Sequence, residues 1–151
     1  MIIYGYWHNS DLSEFIKQSI ATTIKNNPYL EYKIYDDDMA KQFINDHFDD
    51  DVLNAYNTLI PFSYKSDLFR FCILYIYGGI YLDLKLVLNP IDISFFINND
   101  FHFTKSRIRK YYEWNLIETS FLYFKNKNNE RFKKIINRIV DNVKRKDKTL
   151  S

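Results

Sequence analysis

The chain has 151 residues, a mass of 18.4 kDa and a formal net charge of +2, which favours one domain with one core over two. Its 13 Tyr, 13 Phe and 2 Trp supply enough ring area for a sizeable core and exclude disorder along the whole chain. A single cysteine, Cys72, excludes a disulfide framework and a Cys-rich zinc site, and its apolar surroundings read as those of an inert core thiol.

Met1 to Trp7 is an apolar and aromatic run suited to a buried strand. Ser10 and Asp11 follow, and Glu14 stands three residues after Asp11, the spacing of a capping box. Leu12, Phe15, Ile16, Ile20 and Ile24 then recur at helical spacing up to Asn26-Asn27-Pro28. Tyr32 to Tyr35 reads as a second strand. Asp36, Asp37 and Asp38 open a helix carrying Met39, Phe43 and Ile44, and Asp49-Asp50-Asp51 cap a third with Val52, Leu53 and Tyr56. Asp36-Asp37-Asp38 lacks the alternating spacing and central glycine of a calcium loop, so capping explains it better.

After Pro61 a longer helix is expected from Ser63 or Ser66, through Leu68, Cys72 and Tyr75, to a stop at Gly78-Gly79. Ile80 to Leu84 is apolar enough for a central strand, and Pro90 ends the next extended piece. Phe101 to Thr104 and Ser120 to Phe124 predict two more strands. Asn129 to Lys144 predicts a helix with Phe132, Ile135, Ile136, Ile139 and Val143 inward. Strands alternating with helices predict an α/β layered fold, and the opening β-α-β unit requires part of the sheet to be parallel.

Charge is unevenly placed. Residues 1–60 carry ten acidic and four basic groups, whereas residues 125–148 carry ten basic and three acidic ones. A basic end can meet an anionic partner, but the solvated face of a helix is the commoner cause. Arg107, Arg109 and Lys110 beside Tyr111, Tyr112 and Trp114 resemble a basic-aromatic nucleic-acid surface. In a chain aromatic throughout, that interleaving carries little weight, so nucleic acid is not the expected partner. His8, His47 and His102 lack metal-ligand spacing. The chain shows no signal peptide, and its longest apolar run, Phe71 to Leu82, is too short to cross a bilayer, so a soluble cytoplasmic protein is expected.

Chemistry concentrates in Lys65-Ser66-Asp67-Leu68-Phe69-Arg70 and Gly78-Gly79-Ile80-Tyr81-Leu82-Asp83-Leu84-Lys85. Asp67 and Arg70 sit three apart near a helix start, on one face, as either an ion pair or a binding pair for hydroxyls and phosphate. Asp83 should lie at the carboxyl end of a buried strand, where open α/β sheets bind ligands.

The run SDLFRFCILYIYGGIYLDL resembles the signature of the DXD-motif sugar transferases, which include capsular-polysaccharide and initiation-type mannosyltransferases and are related to the catalytic domain of glucosylating toxins. A strand ending in Trp7, Asn27-Pro28-Tyr29 and acidic Asp36-Asp37 agree with it in order and spacing. The resemblance covers residues 1–92 well and 119–136 more loosely. It implies a GT-A type, Rossmann-like fold in one domain, small or truncated, with residues 1–92 as the donor-binding part and 93–151 as a reduced acceptor side. It further implies transfer of a sugar, with retention of configuration, from a nucleotide-diphosphate donor to a glycan or protein acceptor.

By the same resemblance Trp7 stacks on the donor base, Asp67 holds hydroxyls of the donor sugar, and Arg70 contacts the sugar or diphosphate. Tyr81 counts as substrate-binding, and Trp114 is a candidate for stacking on the acceptor. Asp83 is the first carboxylate of the DXD motif, approaching the ribose and a Mn²⁺ or Mg²⁺ ion. Lys85 stands where the second carboxylate belongs, and an ammonium has no lone pair for a cation. Three readings follow. Lys85 neutralises the leaving diphosphate without a metal, or a carboxylate elsewhere such as Asp92 rebuilds the metal site. In the third the chain is a catalytically inactive pseudo-transferase that binds nucleotide sugar or glycan as a subunit. Members of the family carry more chain after the DXD strand, so a partner chain completing the acceptor site, or water as acceptor, is also expected.

Overall fold

Tyr4 and Tyr6 point to one face of the first strand and Ile3 to the other, all nearly inaccessible, as befits a strand covered on both sides. The computed structural model describes residues 1–105 and 117–149. In it, β1 (Ile2–Tyr6), α1 (Glu14–Asn26), β2 (Glu31–Tyr35), α2 (Asp37–His47), α3 (Asp50–Thr58), α4 (Phe62–Tyr77) and β3 (Gly79–Leu82) are followed by α5 (Ile93–Asn98), β4 (Phe101–Lys105), β5 (Ile117–Phe124) and α6 (Glu130–Thr149). The strands form one sheet in the order β2-β1-β3-β5-β4. β1 runs parallel to β2 and β3, and β5 runs antiparallel to both β3 and β4. The α/β layering expected from the sequence is therefore present.

Alternation divides the core. Tyr4, Tyr6, Tyr81, Leu122 and Phe124 face a layer built from α2, α3, α4 and α6, centred on Leu68, Phe69, Cys72, Phe132 and Ile136. Ile3, Ile80, Leu82, Phe121 and Tyr123 face the opposite layer with Leu88 and Phe96. Burial pushes the Cys72 thiol well above its ordinary range, as an inert core cysteine requires.

Several helix faces differ from the expected stripes. α1 starts at Glu14 with Ser13 as its cap, whose Oγ accepts from the Ile16 N–H at 3.4 Å, so the Asp11–Glu14 box is not formed. Phe15 is 62% exposed, and the inward stripe is Ile16, Ser19 and Thr23. The polar members have a purpose that periodicity does not reveal. Thr23 Oγ1 accepts from the Leu88 N–H at 3.1 Å, while the Asn27 amide donates to Leu88 O at 3.2 Å and accepts from the Ile91 N–H at 3.1 Å. Together they hold the irregular chain after β3 against α1. Ala40 replaces Met39 on the inward face of α2, and Val140 replaces Ile135 on that of α6. α5 was not expected. Asp92 caps it, its carboxylate accepting from the Ser94 N–H at 2.9 Å.

The α4–β3 junction needs both glycines. Gly78 and Gly79 have φ of 66° and 93°, left-handed values that disfavour a side chain. A Cβ on Gly79 would also lie 2.9 Å from the Ile2 carbonyl oxygen on β1. Gly79→Ala is expected to cost about 2–3 kcal/mol, read as a lower urea midpoint with an unchanged slope. An unchanged midpoint would show that this junction carries no such constraint.

Candidate functional site

The carboxyl ends of β1 and β3 open into a cavity of about 480 Å³, within the range of small-molecule sites. Trp7, just past β1, continues the parallel ladder by donating its N–H to Tyr35 O at 2.9 Å. Its ring begins an aromatic wall. The Trp7 and His8 centroids are 4.9 Å apart, and those of His8 and Phe62 are 5.0 Å apart.

Further lining residues come from α4 and the turn after β3. Arg70 is buried, with its guanidinium carbon 4.9 Å above the ring of Tyr81. Its Nε donates to Ser66 O at 3.3 Å, and Nη1 donates to the carbonyl and hydroxyl oxygens of Thr119 at 2.8 and 2.7 Å. Nη2 donates to Ser66 Oγ at 3.2 Å and pairs with Asp67 at 2.8 Å. The Asp83 carboxylate lies 3.6 Å from the same nitrogen. The guanidinium thus makes four hydrogen bonds within the protein and pairs with Asp67, and it holds two half-exposed carboxylates at the cavity.

Asp83 is fixed by its backbone. Its N–H donates to Ser120 O at 2.9 Å, and its carbonyl accepts from the Leu86 N–H at 2.9 Å in a turn. Leu84 is buried against β1 at Gly5, where a Cβ would come within 2.3 Å of Leu84 Cδ2. Asp83 and Lys85 flank this anchor, so both start from set positions. Burial raises the Asp83 carboxyl above its usual range, opposed by Arg70, the Tyr81 hydroxyl and Lys85 and reinforced by Glu118. Burial likewise raises Asp67, with Arg70 opposing and Asp83 reinforcing. Both carboxylates are therefore held in a place that disfavours their charged form, a feature common at functional sites.

Of the residues singled out in the sequence, Trp7, Arg70, Asp83 and Lys85 line this cavity, and Asp67 joins it through Arg70. Tyr81 is fully buried beneath Arg70, its hydroxyl 2.8 Å from Ser66 Oγ, and so supports the site without facing the cavity. Trp114 lies outside the described residues. Lys85 is exposed, its ammonium 5.8 Å from the Trp7 ring centroid. Asp92 is exposed and engaged as a helix cap, which speaks against a metal site rebuilt through it. Among the described residues no group of three or more His, Cys, Asp or Glu could hold a metal ion.

Sequence reasoning missed Phe62, Ser63, Ser66 and Ser120 as lining residues, and it missed what supports Tyr6. The Asp37 carboxylate accepts from the hydroxyls of Tyr6 and Tyr56 at 2.9 and 2.8 Å, and its two oxygens accept from Lys65 at 3.1 and 2.9 Å. Of that triplet Asp36 alone serves as the expected cap, accepting from the Met39 N–H at 2.8 Å. The network joins the end of β1 to the start of α4, the two elements that carry Trp7 and Asp67.

Residues 13–93 match the family model described as a glycosyltransferase sugar-binding region containing a DXD motif. The chain is 29% identical to an uncharacterized glycosyltransferase of Acanthamoeba polyphaga mimivirus over 111 residues, which are 72% of this chain and 43% of that protein. It is 32% identical to inositol phosphoceramide mannosyltransferase 2 of Schizosaccharomyces pombe over 84 residues, 55% of this chain and 24% of that one. The match thus spans less than half the length of these curated relatives. No solved structure matches significantly. Among the described residues no helix is long and apolar enough to cross a membrane.

Proposed function

Because the chain belongs to the glycosyltransferases with a DXD-containing sugar-binding region, and its mixed α/β sheet is that of a small GT-A-like domain, we propose that it binds a nucleotide-diphosphate sugar in the Trp7–Asp83 cavity and transfers the sugar to a glycan or protein acceptor. The convergence of Asp67, Arg70 and Asp83 at the carboxyl ends of the parallel strands carries this reading. Trp7 offers an aromatic face for the base. The two carboxylates are acceptors for donor hydroxyls, and bonds to charged groups are the stronger kind.

Arg70 acts as a positioning residue. Its donors are taken by Ser66, Thr119 and Asp67, so it sets the carboxylates and leaves the diphosphate to another cation. In the transfer the bond from the anomeric carbon to the diphosphate oxygen breaks and one to an acceptor oxygen forms. The acceptor proton leaves on the released diphosphate. Retention of configuration follows the family resemblance. Residues 1–92 form the donor part, and a partner chain completes the acceptor side.

A second reading has one specific observation in its favour. Lys85 in the second DXD position fits a chain that binds a nucleotide sugar without transferring it. Turnover separates the two.

Asp83→Asn is the decisive variant. Because burial raises the Asp83 carboxyl, the folded protein is destabilised as pH rises through the ordinary value toward the raised one. Removing that charge should leave the thermal midpoint at pH 7 equal or higher, while release of nucleoside diphosphate from UDP- and GDP-sugars falls to background. A mannosyl donor comes first, since one relative is named a mannosyltransferase. Full activity in Asp83→Asn would remove Asp83 from the site. Release of nucleoside diphosphate by neither protein, with donor still bound, would favour the binding-only reading.

A further inference from the structure

We infer that the Lys85 ammonium takes the electrostatic place of a divalent cation, so that the chain binds the donor diphosphate without a metal ion. The inference rests on the donor-site reading above and concerns how that site meets negative charge.

The donor set does not suit a hard cation. Mn²⁺ and Mg²⁺ take oxygen ligands, commonly one or two carboxylates beside substrate phosphates and water, so the test is whether a carboxylate here is free to serve. Here Asp83 has a guanidinium nitrogen 3.6 Å away, Asp92 caps α5, and the next motif position is an ammonium. Asp67 pairs with that same guanidinium nitrogen at 2.8 Å, and among the described residues no group of three or more His, Cys, Asp or Glu could hold a metal ion.

The cation inventory of the cavity points the same way. Arg70 already makes four hydrogen bonds to Ser66 and Thr119 and pairs with Asp67, whereas Lys85 has no carboxylate within ion-pair distance among the described residues and hangs over Trp7 at 5.8 Å. Its stem begins at an anchored point, because Leu84 is packed against Gly5 and the Asp83–Leu86 turn closes around it. The head is therefore free to move while its origin is not.

Charge balance closes the argument. A carboxylate plus a divalent cation carries one net positive charge, which is also the charge of one ammonium. Replacing both by Lys85 leaves the net charge supplied to the diphosphate unchanged, and lysine is an effective point charge for phosphate. Charge-assisted bonds of this kind are worth about a tenfold to hundredfold change in affinity.

Calorimetric titration of the full chain with UDP and with GDP, in excess chelator and in excess Mn²⁺, tests this beside Lys85→Ala. The side chain is exposed, so the variant should keep its thermal midpoint. The expected result is binding that survives chelation in the wild type and weakens at least about tenfold in Lys85→Ala. Binding that requires Mn²⁺, or chelator-resistant binding indifferent to Lys85→Ala, would overturn the inference and leave the donor site standing. Absence of binding under both conditions, from folded protein, would overturn the donor-site reading and this inference with it.

Discussion

Arg70→Met is expected to lower stability by about 3 kcal/mol and to abolish nucleoside-diphosphate binding. The guanidinium side chain is only 7% exposed and bridges α4, β5 and the turn after β3. Met keeps much of the volume and removes every donor. Asp67 and Asp83 then lose the guanidinium they share, leaving Asp83 only the more distant Lys85, and the Thr119 and Ser66 oxygens lose their partners. Breaking a buried pair costs about 3–5 kcal/mol, and the lower end applies because water reaches both carboxylates. The thermal midpoint should fall by roughly 6–12 °C. Arg70→Lys should recover little, since one ammonium cannot serve acceptors spread over a planar fork. Wild-type unfolding with undiminished UDP or GDP affinity in Arg70→Met would show that the guanidinium does not set the site.

The α4–β3 segment was the most legible part of the molecule, because each of its signals is local. Proline before the helix, a glycine pair after it and an apolar strand ending in Asp83 each act over a few residues, and they put Asp67 and Arg70 on one helix face and Asp83 at a strand end, while the resemblance joins them with Lys85 in one site. What escaped depends on contacts distant in sequence. The inward face of α1 looked wrong by periodicity because Thr23 and Asn27 face chain 61 to 65 residues away, where their polar atoms have partners. α5 was hidden in a stretch whose only local marks are Pro90 and the cap Asp92. Nothing local announces that Thr119, 49 residues on, accepts from one side of the Arg70 fork.

Asp37 is the clearest case, and its loss should be as costly as that of Arg70. Three successive aspartates suggest capping, and Asp36 does cap. One residue later the helix turns Asp37 inward onto Tyr6, Tyr56 and Lys65, which are 31, 19 and 28 residues away. The Lys65 and Asp37 side chains are 14% and 25% exposed, so Asp37→Ala leaves a largely buried ammonium without its counter-charge. The Tyr6 and Tyr56 hydroxyls keep only each other, at 3.4 Å. A loss of about 3–5 kcal/mol is expected, with weaker donor binding as Trp7 and Asp67 lose their common support. Asp37→Asn retains an acceptor and should cost less. The pH dependence distinguishes this carboxylate from those in the cavity. Burial raises Asp37, but the bonds from Lys65, Tyr56 and Tyr6 outweigh it and leave the carboxyl below its usual range. A group lowered by folding stabilises above its unfolded value, about 3.9, and that contribution disappears as pH falls through the folded value. The stability gap between wild type and Asp37→Asn should therefore be largest near neutrality and shrink below about pH 4. The gap between wild type and Asp83→Asn should have the opposite sign and open as pH rises, since Asp83 is raised by folding. Chemical denaturation of the three proteins across pH 3–8 reads both slopes. A gap for Asp37→Asn that does not change with pH would mean that the aspartate acts through shape alone and not through its charge.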